Sequence, residues 1–165
     1  MKRPTILFWL FTAATVGWML LMRPVTPPDI VKFEFVRTVG AASGMLAAWG
    51  EAGVEKVRVS LYLDFVFLIL YCQTISLGCR LVASFNTGVF ANAGLLFSRL
   101  IWIAGACDLV ENIILLLTLQ KVNGTLLELA FWMAGIKFAW VGMTILFVMV
   151  GAGVGVSKVF LTEQP

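Results

Sequence analysis

Three polar side chains interrupt an apolar stretch of this chain at a spacing that could do chemistry. Asp108, Glu111 and Asn112 stand at positions i, i+3 and i+4, which places all three on one face of a helix. Two carboxyl groups on one face can transfer protons, bind a cation or pair with a basic side chain. Because ionisable side chains are costly inside a membrane, they usually face the interior of a helix bundle and often mark function.

Other polar residues interrupt the neighbouring apolar stretches at overlapping predicted depths. At 1.5 Å per residue, Asp64 lies about 8 Å from one membrane face, Glu111 about 12 Å and Lys137 about 17 Å. Three carboxylates against one ammonium leave excess negative charge, so either a carboxyl is protonated or a cation or basic ligand completes the site. We therefore predict a polar intramembrane pocket. The candidates for a ligand or ion pocket are Asp64, Tyr71, Asp108, Glu111, Asn112 and Lys137, with Glu34 and Trp140 as secondary candidates.

Each of these residues also has a structural explanation. The charges around Asp108 could form a buried ion-pair network that fixes the register of the helices. Asp64 could be a first-turn acid that complements the helix dipole after a Ser60 cap. Glu34 has Arg37 three residues later, which is typical of an ion pair on a solvated helix face.

The elements that position these side chains are predicted to be membrane helices. The chain has 165 residues, of which 61% are hydrophobic and 13% are charged, whereas soluble domains have about 45–50% apolar and about 25% charged residues. This composition excludes an ordinary soluble globule and a disordered chain. A bilayer is crossed by about 20 apolar residues. We predict a single membrane domain over residues 1–165, an all-α four-helix transmembrane bundle with spans at about 5–22, 59–83, 95–119 and 126–154.

The segment 23–58 between the first two spans is the only sizeable polar one. Thr26 followed by proline and by Asp29 fits a helix start with a threonine cap, and apolar residues from Val31 to Trp49 recur at helical spacing. We predict one amphipathic helix that lies on the membrane or packs on the bundle. A competing alternation with period two runs over residues 31–35.

The third and fourth spans are predicted to be joined by a short turn around Asn123 and Gly124. Thr125 with Glu128 fits a capping box at the start of the fourth helix. Tyr62, Trp9 and Trp132 fit a belt of aromatic residues at the membrane interface. An even number of spans puts both termini on one side, and the leading Lys2 and Arg3 favour the cytoplasm.

Several functions are disfavoured by what the sequence lacks. It contains no histidine, which excludes haem held by histidine, histidine-based zinc sites and histidine catalysis. No cofactor or metal is implied, because no cofactor motif is present and the three cysteines, Cys72, Cys79 and Cys107, form no Cys-x-x-Cys pair. The net charge of +3 is too small and too scattered for a nucleic-acid interface.

The pattern resembles an uncharacterised group of small bacterial proteins with four membrane spans. That resemblance implies the architecture and a bacterial inner-membrane location, and it favours the matched polar positions as site candidates; it implies no activity. The residues that carry it are Phe33-Glu34-Phe35, Trp49, Leu63-Asp64-Phe65, Tyr71, Ala104-Gly105, Asp108-x-x-Glu111-Asn112 and Lys137-Phe138.

Three functions remain open from the sequence. The first is a protein of the lipid bilayer whose polar pocket binds or moves a small ligand, a lipid headgroup or a cation. Because four helices are few for transport, a transporter of this size would suggest a homo-oligomer. The second is a structural or assembly subunit, in which the polar cluster fixes helix packing. The third is an intramembrane enzyme that uses Asp108 and Glu111 on a lipid, which is less favoured because the sequence offers no nucleophile–base pair.

Overall fold

The computed structural model describes residues 3–162, with side chains through residue 154. Within that range the chain is all-α, and no strand occurs between residues 3 and 162. Four of the helices are long and apolar enough to cross a membrane, so the protein is a multi-pass membrane protein built as a four-helix bundle. The helices are α1 (Arg3–Met22), α2 (Ile30–Glu34), α3 (Val39–Phe85), α4 (Val89–Gln120) and α5 (Gly124–Thr162).

The bundle is organised around the contact between α3 and α4. Helix α5 packs on α4 and α3, whereas α1 packs chiefly on α3. Small residues let the central helices approach closely: a Cβ atom on Gly94 would lie 2.7 Å from the carbonyl oxygen of Cys79, and one on Gly105 would lie 2.7 Å from Sγ of Cys72. The close approach at Gly105 fixes the depth at which the polar face of α4 meets α3.

Helical structure is present between the first two spans, but the prediction that it forms one continuous helix is wrong. Helix α2 ends at Glu34, and α3 begins at Val39 after a non-helical linker. The break has a local cause, because Thr38 has extended backbone angles and its hydroxyl accepts a hydrogen bond from the backbone N–H of Ala41 at 3.3 Å. A threonine in this role caps a new helix.

The predicted threonine cap at Thr26 is also wrong. Its hydroxyl bonds to the carbonyl oxygen of Met22 at 3.0 Å and to the hydroxyl of Ser60 at 2.8 Å. Thr26 therefore ties the end of α1 to α3 instead of starting α2.

Helix α3 bends at Gly50, which divides it into segments 39–49 and 51–85. A straight helix of 47 residues would be about 70 Å long, more than twice the thickness of a hydrocarbon core of about 30 Å. Gly50 has a φ of 62° and a ψ of −177°, a conformation that is accessible essentially to glycine alone. The predicted span 59–83 lies within the second segment, and the first segment belongs to the connection between spans.

Helix α2 is held against the first segment of α3 by aromatic and polar contacts. The rings of Phe33 and Trp49 meet edge to face with centroids 5.0 Å apart, and Phe33 is fully buried. The indole N–H of Trp49 donates to both carboxylate oxygens of Asp29, at 3.1 and 3.2 Å. These contacts hold α2 in place and so position its last residue, Glu34, against the bundle.

A short turn joins α4 to α5 as predicted, but the capping box is wrong. The side-chain oxygen of Asn123 accepts hydrogen bonds from the backbone N–H groups of Thr125 at 2.9 Å and Leu126 at 3.3 Å, so Asn123 caps the helix. Glu128 instead pairs with Arg37 at 3.2 Å, with both side chains about half exposed. That pair adds a solvent-exposed ion pair between α5 and the segment that joins the first two spans.

Candidate functional site

Lys137 is the centre of a buried cluster of charges. Its Nζ atom lies 2.8 Å from Oε2 of Glu111, 3.2 Å from Oδ1 of Asp108 and 3.5 Å from Oε2 of Glu34. The ammonium comes from α5, two carboxylates come from α4 and the third comes from the end of α2. One positive charge therefore bridges three elements that are far apart in the sequence.

Asp108 is held from both sides of its carboxylate. Oδ1 accepts from Lys137, and Oδ2 accepts a hydrogen bond from the phenolic hydroxyl of Tyr71 on α3 at 2.9 Å. The side chain of Asp108 is only 4% exposed, so water contributes little to its solvation. This arrangement orients the carboxylate with one oxygen toward α5 and the other toward α3.

Asp64 lies at the edge of the cluster and has a different kind of partner. Its Oδ2 accepts a hydrogen bond from the amide of Asn112 at 2.6 Å, and no basic side chain among the described residues forms an ion pair with it. The explanation of Asp64 as a first-turn acid after a Ser60 cap is wrong, because both residues lie inside α3 and Ser60 bonds to Thr26.

Glu111 is the most deeply buried acid of the cluster. Its side chain is completely inaccessible, and among the described residues its Oε1 atom has no hydrogen-bond partner. A buried carboxylate oxygen without a donor is energetically costly. The contact with Lys137 therefore satisfies only part of this carboxyl group.

Glu34 reaches the cluster from outside the spans. The explanation of a solvated pair with Arg37 is wrong, since Glu34 lies against Lys137 and Arg37 pairs with Glu128. Burial raises the pKa of the Glu34 carboxyl above its ordinary value, because the charged form loses hydration. The ammonium of Lys137 opposes that rise, while the nearby Asp108 carboxylate adds to it.

A cavity of about 390 Å³ opens beside the cluster, between α1, α3 and α5. Five of the predicted residues line it: Asp64, Tyr71, Asp108, Lys137 and Glu34. Glu111 and Asn112 lie behind this wall, in contact with Lys137 and Asp64. The remaining lining is mostly apolar and consists of Thr15, Phe67, Thr74, Ile75, Phe138, Val141 and Ile145.

Trp140, the other secondary candidate, does not line this cavity. Its ring meets that of Phe97 edge to face, with centroids 6.5 Å apart, and it packs on the buried group formed by Cys72, Ile101 and Ala104. Trp140 therefore belongs to the packing between α4 and α5.

Two hydroxyl groups that are not among the predicted site candidates also line the cavity, one from α1 and one from α3. Thr15 and Thr74 share a hydrogen bond of 2.7 Å, which joins the first span to the rest of the bundle beside the charges. The signal available was the spacing of Thr12 and Thr15 in an otherwise apolar helix.

A second cavity, of about 500 Å³, adjoins the first at Asp64 and Phe67, which line both. Its other walls come from the end of α1 and the loop after it, including Arg23, Thr26 and Pro27. Asp64 thus stands between the loop side of the bundle and the charged cluster. Among the described residues, no group of three or more Cys, Asp or Glu side chains is arranged to hold a metal ion.

Comparisons with models of protein families, with curated proteins and with solved structures gave no match to this chain.

Proposed function

We propose that this membrane protein binds a small organic cation, a protonated amine, in the cavity beside Lys137. The observation that carries the proposal is the imbalance of charge around that cavity. Among the described residues, Glu34, Asp108 and Glu111 contact a single ammonium group, and Asp64 lies at the edge of the same cluster. A cation in the cavity supplies part of the positive charge that the protein itself lacks.

Asp64 is the carboxylate that the cation contacts. Lys137 is engaged by the other three acids, whereas the partner of Asp64 within the described part of the chain is the neutral amide of Asn112. An uncompensated acid in a membrane span costs about 2.5–3.5 kcal/mol on insertion scales. A cation that reaches Asp64 through the adjoining cavity near Arg23 relieves that cost.

The walls of the cavity favour an organic cation over a bare ion. Ligand sites typically have volumes of about 300–1,000 Å³ and mostly apolar linings with a few polar groups, and the 390 Å³ cavity has this composition. Phe67 and Tyr71 lie beside Asp64, with ring centroids 5.6 Å apart. Aromatic faces attract organic ammonium groups through the ring quadrupole.

The test is calorimetric titration of the purified protein in detergent with butylamine, which is protonated at pH 7, and with butanol, which is not. We expect butylamine to bind and butanol to fail. Asp64→Asn should weaken the binding of butylamine at least tenfold. The matched control Glu51→Gln, which replaces an exposed acid, should leave the affinity unchanged. Equal binding of butanol, or full affinity in Asp64→Asn, would overturn the proposal.

A structural role is the second candidate, and the geometry of Lys137 supports it. This side chain links α2, α4 and α5 through contacts of 2.8–3.5 Å, as a network that fixes helix register would. The two functions differ in one measurement. Butylamine should raise the unfolding temperature of the wild type but not of Asp64→Asn if the cavity is a binding site; a purely structural cluster gives no rise in either protein.

A further inference from the structure

A third cavity extends the first one along the bundle, away from the charges. It has a volume of about 260 Å³ and shares Thr74, Ile75 and Ile145 with the first cavity. The two spaces therefore form one continuous groove between α1 and α5, with α3 as its floor. The remaining lining residues of the third cavity are Phe8, Thr12, Gly78, Val148 and Met149.

The groove runs parallel to the helices, and its length can be read from them. Thr15 lines the first cavity and Phe8 the third, a separation of seven residues on α1, or about 10 Å. On α3 the same distance separates Tyr71 from Gly78. The groove thus continues about 10 Å beyond the phenolic side chain that contacts Asp108.

The extension offers no free polar group among its described lining residues. The hydroxyl of Thr12 donates to the carbonyl oxygen of Phe8 at 2.8 Å, and that of Thr74 donates to Leu70 at 2.8 Å. The hydroxyl of Thr12 is thus engaged by its own helix backbone, and that of Thr74 is engaged by its own backbone and by Thr15. Gly78 keeps the floor low, since a Cβ atom there would lie 3.3 Å from the ring of Phe8 and 3.5 Å from the methyl groups of Val148.

We propose that the ligand of the site is a single-chain amphiphile, an alkyl ammonium whose hydrocarbon tail lies in this groove between α1 and α5. The inference rests on the proposed function, because the charged cluster must hold the headgroup. Since lipid tails are as apolar as the groove, the tail gains little from leaving the bilayer. The carboxylates therefore supply the affinity, and the groove selects a ligand that carries one chain.

Charge excludes the opposite class of amphiphile. A phosphate or sulfate headgroup at the depth of Asp64 would meet Glu34 and Asp108 as well, and like charges in a low-dielectric site repel strongly. The entry route follows from packing: α1 contacts chiefly α3, and α5 contacts α4 and α3. The groove lies between α1 and α5, which make little direct contact with each other, so the tail can enter from the bilayer.

The first experiment maps the tail directly. Dodecylamine with a diazirine at the end of its chain is added to the protein in nanodiscs, activated by light, and the labelled residues are found by mass spectrometry. We expect labels on α1 between Thr12 and Phe8 and on α5 between Ile145 and Val148, reduced by unlabelled dodecylamine but not by dodecyl sulfate. Labels scattered over the lipid-facing surface, or labels that dodecyl sulfate removes equally, would overturn the inference.

The second experiment separates the tail site from the headgroup site. Gly78→Leu fills the floor of the groove, and Gly142→Leu places the same side chain on an exposed position of α5 with open space around it. Gly78→Leu should weaken the binding of dodecylamine at least tenfold and leave the affinity for butylamine unchanged. Gly142→Leu should leave the affinity for both amines unchanged. Butylamine binding in both variants also verifies that they are folded.

The outcomes distinguish the two proposals. If wild-type protein binds neither amine, the proposed function fails. If butylamine binds but Gly78→Leu holds dodecylamine as tightly as the wild type does, the headgroup site stands and the tail site is wrong. If Gly78→Leu does not fold, the position of the diazirine labels decides the question alone.

Discussion

Replacement of Lys137 by methionine should be the most damaging single substitution in the charged cluster. Methionine keeps the length and apolar stem of lysine but removes the ammonium, which is the one cation among the described residues that pairs with Glu34, Asp108 and Glu111. Removing one partner of a buried ion pair costs about 3–5 kcal/mol, because the remaining charge stays buried and uncompensated. We expect the free energy of unfolding to fall by this amount at pH 8.

The loss of unfolding free energy should become smaller as the pH falls, and the pKa of Glu34 determines the sign of this pH dependence. Its pKa in the folded protein lies above the ordinary value of 4.5, and Lys137 opposes that rise, so Lys137→Met raises it further. A carboxyl with a raised folded-state pKa stabilises the fold fully below the unfolded pKa and loses that contribution as the pH rises. The difference between Lys137→Met and wild type should therefore be smallest near pH 4.5 and largest at pH 8.

The assay is equilibrium unfolding by SDS in mixed micelles, followed by tryptophan fluorescence at several pH values. At pH 8 a thiol-reactive dye provides a second reading, because Cys72 and Cys79 are fully buried and react only on opening; Cys107→Ser removes the partly accessible thiol. Lys121→Met is the matched control, an exposed lysine whose loss should change stability by no more than about 0.5 kcal/mol. A loss of stability equal to that of the control, or equal at pH 4.5 and pH 8, would refute the reasoning.

Two further predictions concern the connection between the first two spans. Gly50→Ala should destabilise the protein by about 1–3 kcal/mol, because the backbone conformation at this position is strained for any side chain. Gly44→Ala, in a helical site with open space, should be neutral or stabilising by about 0.5–1 kcal/mol. Thermal unfolding compares the two variants, and equal effects would contradict the argument. Trp49→Phe should remove the hydrogen bonds to Asp29 and lower the free energy of unfolding by about 1.5–3 kcal/mol. Trp132→Phe, on an exposed face, is the control. Faster proteolysis of segment 23–38 measures the loosening of this segment in Trp49→Phe, and unchanged cleavage would count against the prediction.

The spans and the polar face of α4 could be predicted from sequence because both depend on local spacing. Composition and run length fix four membrane helices, and the positions of Asp108, Glu111 and Asn112 place them on one face. The depths of Asp64 and Lys137 also follow from counting residues. No further information is needed to expect these side chains at overlapping levels.

The connecting segment could not be predicted, because its structure depends on contacts between distant residues. Local spacing pairs Glu34 with its neighbour Arg37, but its actual partner, the ammonium of Lys137, lies about one hundred positions further along the chain. Thr26 has the residue type of a cap, yet Ser60 on another helix offers its hydroxyl a partner. The groove between α1 and α5 likewise has no local signal, since it arises from a gap between helices.

The ion pairs of Lys137 also bear on how the chain enters a membrane. During synthesis α4 emerges with Asp108 and Glu111 before α5 exists, and each acid opposes insertion by about 2.5–3.5 kcal/mol on its own. The compensating ammonium of Lys137 is 26 residues after Glu111, past the short turn at Asn123. The hairpin of α4 and α5 is therefore the shortest continuous piece of the chain that joins these two acids to the ammonium group they contact, and its two helices gain from partitioning together.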